Sequence, residues 1–299
     1  MSILAIVIPF FKVSFFEETL KSLADQTNKN FKVYIGDDAS PDNPNPLIEK
    51  YKGKFDFIYH RFEQNLGGKS LAQQWNRCLD LCNNEKWVMI LGDDDVLENN
   101  CIESFYNNLK EIESLDSSVV RFATEVIDEN GTVLSKLYQH PKTEKAIDFL
   151  IRKFKGGTRS SLSEYIFKKD KVITIKFKDF PLAWSSDVLG VVEFSAGKDI
   201  YTINDALVYF RWSDKNITGQ GDSIEKNVAW FQFYSYLLSN YGVQYPKELV
   251  SVLFDKLEKV QLNNKKTPLR WCKLFWLYLV YYQYSRFFML FVKIKKSIK

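Results

Sequence analysis

The sequence predicts an α/β fold with a mostly parallel central sheet and helices on both faces. Three observations lead there. Short, nearly continuous apolar runs recur through the first half and read as strands buried on both faces. Segments with helical spacing of apolar residues separate them. Two of the strands stop at acidic clusters, Gly36-Asp37-Asp38 and Gly92-Asp93-Asp94-Asp95, and open parallel sheets bind ligands beyond the carboxyl ends of their strands.

Ile3–Ile8 is the first strand. Ser14 and Glu17 read as a capping box for a helix ending near Ala24. Lys32–Ile35 and Phe55–Tyr59 are strands, and the crowded Pro41, Pro44 and Pro46 read as loop. Lys69–Leu81 is helical, Trp87–Leu91 a strand, Leu97–Ile112 a helix and Val119–Ala123 a strand. Thr143–Lys153 is helical, and Ile166–Phe167 is a short strand. An apolar helical run ends near Phe194, followed by strands Ile200–Ile203 and Ala206–Phe210 joined by Asn204-Asp205. Ser223–Leu238 and Glu248–Leu262 are helices. The expected division is a catalytic domain over residues 1–220, a helical extension over 221–264 and a basic aromatic tail over 265–299.

The apolar fraction of 45% excludes a disordered chain. Four cysteines are too scattered for a disulfide scaffold and read as reduced thiols. With two histidines, a three-histidine zinc site is impossible. No G-x-S-x-G motif accompanies either histidine, so a general base is expected to be a carboxylate. Residues 265–299 hold nine Lys or Arg, ten aromatics and no acid. The tail is interrupted by Arg270, Lys273, Gln283 and Arg286, which argues against spanning a bilayer. It reads as an interfacial helix on an anionic membrane surface, separable from the folded body, with docking on protein as the alternative. Nucleic acid is not an expected partner, because no recognisable nucleic-acid module precedes the tail. The short N-terminal apolar stretch has no basic flank, so it reads as a strand and not a signal peptide. The expected location is cytoplasmic, peripheral at the inner face of the inner membrane.

Three consecutive carboxylates at a strand end repel one another unless a cation arrives, and a hard divalent cation with oxygen ligands meets that need. Mg2+ or Mn2+ held there would also accept phosphate oxygens. Asp37-Asp38 could accept hydrogen bonds from a base or a ribose. No G-x-G-x-x-G is present, and Gly67-Gly68-Lys69-Ser70 lacks the earlier glycine of a phosphate loop.

The pieces ILAIVIPF, SLADQT, FKVYIGDDAS, QNLGGKSLAQQWN and WVMILGDDDVL stand in a specific order and spacing, with FPLAWSSDV and YFRWSDKNIT following. In these motifs the chain resembles family 2 of the inverting, nucleotide-sugar-dependent glycosyltransferases, of the bacterial surface-polysaccharide type, over about residues 1–220. The resemblance implies a nucleotide-diphospho-sugar transferase fold of GT-A type. It implies donor contacts from Pro9, Asp37 or Asp38, Asn65, Gly67, Lys69, Asp93 and Asp94, with Trp184 as a sugar platform and Arg211 beside the diphosphate. Metal ligation falls to Asp94 and Asp95. Gly92 stands where the family usually has the first Asp of its signature. Asp187 matches the general base, with Ser186 replacing the usual preceding acid. Its alternative role is a helix N-cap. Ser160–Ser163 reads either as acceptor-site lining or as a loop.

The implied reaction is transfer of a sugar, with inversion, from a nucleotide-diphosphate donor to a hydroxyl of a glycan or lipid-linked glycan. Rival readings are a sugar nucleotidyltransferase, which would want a basic Gly-rich loop after the first strand, and a non-catalytic glycan-binding protein of the same fold.

Overall fold

The computed structural model describes residues 3–219, 221 and 223–296, and only the backbone of residues 291 and 293–296. The chain forms two compact units, residues 1–179 with 186–221, and residues 180–185 with 222–299.

The first unit is built on one nine-stranded sheet. Its strands are β1 (Leu4–Phe10), β2 (Lys32–Asp37), β3 (Asp56–Arg61), β4 (Trp87–Ile90), β5 (Val96–Leu97), β6 (Val119–Ile127), β7 (Thr143–Glu144), β8 (Tyr165–Lys168) and β9 (Ile200–Arg211). The order is β3-β2-β1-β4-β8-β6-β9-β5, with β7 also on β9. β3, β2, β1 and β4 run parallel, as do β6 and β9, while β8 is antiparallel to both its neighbours. β1 and β4 are apolar on both faces and almost wholly buried, as strands covered by helices must be. The helices are α1 (Phe16–Ala24), α2 (Asn45–Tyr51), α3 (Leu71–Leu79), α4 (Cys101–Ser114), α5 (Ala146–Phe154), α6 (Lys169–Ile175) and α7 (Ser186–Phe194). One core joins Leu4, Ile6 and Ile8 of β1 to Phe16 and Leu20 of α1 and Phe105 of α4.

Several local expectations are corrected. Ser14 does not cap α1; Phe15 is the N-cap and no side-chain bond closes the turn. The proline-rich segment is partly helical, because Pro44 is the N-cap of α2 and Pro46 sits in its first turn, where a missing N–H costs nothing. The expected helix at Thr143 begins with β7 and becomes helical only at Ala146. Asn204-Asp205 is not a hairpin turn. β9 runs unbroken past it, and the register against β6 jumps from Phe122–Ile203 to Ala123–Leu207. The Asn204 side chain instead brackets His140, accepting its N–H at 3.1 Å and donating to its carbonyl at 2.8 Å.

The second unit is helical, with α8 (Ile224–Asn240), α9 (Lys247–Asn263), α10 (Pro268–Val280) and α11 (Tyr284–Lys296). Here the separable tail is corrected. Leu274, Leu277, Tyr278 and Leu290 of α10 and α11 are buried. Tyr278 stacks on Phe254 of α9 at 5.4 Å and donates to the Glu258 carboxylate at 2.9 Å. Arg286 donates to Asp255 at 2.7 Å and to Glu258 at 3.2 Å. The tail therefore supplies core to its own unit. Its last residues, 297–299, lie outside the described residues. No helix among the described residues is long and apolar enough to cross a membrane.

Candidate active site

The carboxyl ends of β1, β2 and β4 meet at a cavity of about 460 Å³ lined by first-unit residues. The size falls within the roughly 300–1,000 Å³ of small-molecule sites. Pro9 lies at the end of β1, Phe11, Lys12 and Phe15 follow it, Asp38 follows β2, and Gly92 to Asp95 follow β4. Asn65, Gly67, Gly68, Leu71 and Trp75 form one wall, and Ser163, Phe210, Lys215, Asn216 and Ile217 also line it.

The two acids after β2 have separate tasks. Asp37 is fully buried and lies outside the lining. It accepts from Ser40 N at 2.8 Å, from Arg61 Nη1 at 2.6 Å and from the Tyr59 hydroxyl, so it ties β2 to β3. Asp38 accepts from Leu66 N at 2.7 Å and Gly67 N at 2.8 Å and pairs with Arg77, which clamps the 65–68 loop to the cavity. A Cβ on Gly67 would lie 2.6 Å from Asp38 Oδ2, so this close approach requires glycine.

The three acids after β4 also differ. Asp93 Oδ2 accepts from the N–H groups of Phe11 and Lys12 at 2.8 and 2.9 Å, joining β4 to the turn after β1. Asp95 is buried; Oδ1 accepts from Arg211 N at 2.9 Å and Oδ2 from the Ser163 hydroxyl. The pairing of β5 with β9, Val96 opposite Tyr209, brings Arg211 to that point. Asp94 receives one long bond, from Asn216 Nδ2 at 3.5 Å, and lines the cavity. Burial raises the pKa of all three, and the Asp94 charge raises Asp93 and Asp95 further. A cation is the natural relief. Among the described residues no three His, Cys, Asp or Glu side chains converge to hold one. Asp94 alone offers a largely uncommitted carboxylate, which fits Mg2+ or Mn2+, ions that bind through one or two carboxylates plus substrate phosphates. Asp95, the second expected ligand, also lines the cavity, but each of its oxygens accepts a bond from the fold, so it is the more committed of the two.

Arg211 is corrected as well. It is fully buried, and its guanidinium donates to the Asp94 carbonyl at 2.9 Å, to the carbonyls of Asp128 and Glu129 at 2.8 and 3.1 Å, and to Glu18. It shapes the acidic turn and does not line the cavity. The cations that do are Lys12 and Lys215, which sequence reasoning missed. Their signals were present, Lys12 just past the end of β1 and Lys215 four residues past Arg211. Ser163, from the stretch read as acceptor-site lining or loop, lines this cavity, and Asn216 became visible only through the fold. Lys69 is exposed and does not line the cavity. Trp184 belongs to the second unit, where its ring meets Trp230 edge-on at 6.0 Å with Lys226 over its face at 4.5 Å. Asp187 stands half-buried at the start of α7, also outside the lining. Burial raises its pKa, opposed by Lys153 and the N–H of Val188. Leu182, Ala183 and Ser185, just before it, all have positive φ without being glycine.

A mixed, mostly parallel sheet flanked by helices, with this acidic turn at its strand ends, is consistent with a GT-A nucleotide-sugar transferase fold. The family profile "Glycosyl transferase family 2" matches residues 5–169, and the chain belongs to that family. It is 29% identical over 198 residues to the poly(ribitol-phosphate) beta-N-acetylglucosaminyltransferase TarP of Staphylococcus aureus, covering 64% of this chain and 57% of that protein. It is 24% identical over 110 residues to the glycosyltransferase GlyG of Streptococcus pneumoniae, covering 36% of each. The matches thus span 36–57% of these relatives' lengths. Among solved structures, S. aureus TarS in complex with UDP-GlcNAc superposes with a TM-score of 0.62 at 18% identity, over 87% of this chain and 71% of that one. A mannosyltransferase from Pyrobaculum calidifontis in complex with GDP-Man and Mn2+ gives 0.54 at 12% identity, over 93% and 74%. These likenesses support the fold.

Proposed function

We propose that the chain is an inverting glycosyltransferase that moves a sugar from a nucleotide-diphosphate donor to a hydroxyl of a glycan or lipid-linked glycan, in the assembly of a surface polysaccharide. The observation that carries this reading is the cavity in which Asp38, Asp94, Lys12 and Lys215 share one space at the ends of parallel strands. The complex of TarS with UDP-GlcNAc makes UDP-sugars the first donors to test.

The nucleoside lies against the Asp38 clamp and the Asn65–Gly68 loop. Lys12 and Lys215 face the diphosphate and stabilise the charge it gains on leaving. Mn2+ or Mg2+, held by Asp94 and the diphosphate oxygens, would neutralise that charge further. Asp187 removes the proton of the acceptor hydroxyl as it attacks from the face opposite the diphosphate. Its burial favours a carboxylate more basic than usual, which suits proton acceptance.

We also propose peripheral attachment to an anionic membrane surface at the cytoplasmic face. The basic tail carries Trp276, Leu279, Tyr282, Phe288 and Met289 exposed, apolar side chains suited to a membrane surface.

The test is a turnover screen. Slow Mn2+-dependent hydrolysis of one among the UDP-, GDP- and dTDP-sugars supports the transferase. Consumption of a nucleoside triphosphate with a sugar phosphate points to a nucleotidyltransferase. Sugar binding with no turnover of either kind points to a glycan-binding protein.

A further inference from the structure

The loop after β9 closes on itself beside the donor cavity. A Cβ on Gly219 would lie 1.7 Å from the Ser213 carbonyl oxygen, so the ends of the 213–219 loop are pinched as only glycine permits. Asn216 stands half-buried inside that pinch. Its Oδ1 accepts from Gly219 N at 2.8 Å, and its Nδ2 donates to the Arg211 carbonyl at 2.6 Å. These two partners fix which end of the carboxamide is which. Turned over, it would set oxygen against a carbonyl and NH2 against an N–H. Nδ2 is therefore the end that faces Asp94 Oδ2, at 3.5 Å. Asp94 receives no other side-chain hydrogen bond among the described residues. The same loop reaches the turn after β1. The Lys12 ammonium donates to the Lys215 carbonyl, and the Lys215 ammonium lies 5.2 Å from the centre of the Phe15 ring. Lys12, Phe15, Asp94, Lys215 and Asn216 all line the one cavity.

We infer that Asn216 is a positioning residue of the donor site, turning the Asp94 carboxylate toward a bound cation and holding the 213–219 loop so that Lys215 faces the diphosphate. The inference rests on the donor reading above. An N–H donor does not ligate a cation, so Asn216 acts through Asp94 and not on the metal. It occupies one lone pair of Oδ2 and leaves the rest of the carboxylate to the ion. The three partners also explain the residue type. A carboxamide supplies two donors and an acceptor from one uncharged planar group. An Asp at this position would set negative oxygen against the Arg211 carbonyl and the Asp94 carboxylate.

The test is calorimetry on the full chain with UDP, GDP and dTDP, each with and without Mn2+. In the parent, Mn2+ should tighten one of these nucleotides by about tenfold or more. Asn216→Ala should cut that gain to about threefold or less, with a melting temperature within about 4 °C of the parent. The gain is a ratio taken within one variant, so a general loosening of the fold cancels from it. Gly219→Ala forces the pinch open without removing a side-chain hydrogen bond, and it should lower the gain in the same way. Asn216→Asp separates a brace from a ligand. The brace predicts that the gain is lost, whereas an oxygen ligand at this position would keep or raise it. Trypsin should cut after Lys215 several times faster in Asn216→Ala than in the parent, with neither nucleotide nor metal present. A gain that survives Asn216→Ala, or one raised by Asn216→Asp, overturns the inference and leaves the donor reading standing. Equal trypsin cutting overturns the hold on the loop. No binding of any of the three nucleotides to the parent at about 1 mM, or no gain from Mn2+, overturns the donor reading and the inference with it.

Discussion

The Arg211 N–H donates to Asp95 Oδ1 at 2.9 Å, while the Arg211 side chain donates to the carbonyl of Asp94 at 2.9 Å. One residue of β9 thus braces two neighbours in the acidic turn. It commits the Asp95 carboxylate to the fold and leaves the Asp94 carboxylate turned to the cavity.

The brace predicts that Arg211→Ala is a stability mutation. It leaves three carbonyls without their donor, at about 1–3 kcal/mol for each that stays dry. Urea unfolding should show a loss of about 3 kcal/mol or more. A loss below about 1 kcal/mol would mean that the buried network is not structural.

Asp94 and Asp95 should separate in the same assay. Asp95→Ala removes the acceptor of two buried bonds and should destabilise by about 2–3 kcal/mol. Asp94→Ala removes one long bond and a repelling charge, so stability should stay within about 1 kcal/mol. Equal losses would contradict the division of labour.

Gly92 offers a third check. A Cβ there would fall 2.9 Å from both Asp94 Oδ1 and Asp95 Oδ2. Gly92→Asp, which restores the residue usual in the family's signature, should therefore spread these carboxylates and weaken UDP binding by about tenfold, a loss of about 1.4 kcal/mol. Unchanged affinity would show that the turn tolerates a side chain.

The pH dependence has a definite sign. Burial and the Asp94 charge push Asp93 and Asp95 up to about 7, and Asp94 is also raised. A cation at Asp94 favours the ionised forms of Asp93, Asp94 and Asp95 together, so Mn2+ binding must displace protons from this cluster. Apparent Mn2+ affinity in the presence of UDP should rise from about pH 6 to about pH 8 and level off above it. A flat or falling profile would contradict this charge state.

For the tail, truncation after Lys266 should unfold the helical unit, since Leu274, Leu277, Tyr278 and Leu290 are buried there. Trp276→Asp with Phe288→Asp changes exposed positions only, so the protein should fold yet sediment poorly with anionic vesicles. Undiminished sedimentation would refute the membrane face.

Much of the sheet was legible because β1, β2 and β4 are short apolar runs, a pattern that needs no tertiary context. The two acidic turns were legible because they close such runs. What the chain order hides is which acid of a consecutive set faces the ligand. Asp94 differs from Asp95 because β5 pairs with β9 and carries Arg211 to Asp95, and because Ser163 donates to the same carboxylate. The same pairing buries Arg211 and leaves Lys215 on the cavity, so the more familiar phosphate-binding side chain was expected in the wrong place. The β9 bulge was hidden because Asn-Asp is ordinarily turn chemistry, whereas here Asn204 bonds to His140 and the Asp205 carbonyl accepts from Asn100.

Titration of UDP into the full chain, with and without Mn2+, beside the Asp94→Ala variant, bears most directly on the donor cavity. The account predicts that Mn2+ tightens UDP binding by about tenfold or more, that Asp94→Ala abolishes the gain, and that the variant melts like the parent. UDP binding of equal strength in all four titrations, or a Mn2+ gain that survives Asp94→Ala, would contradict it.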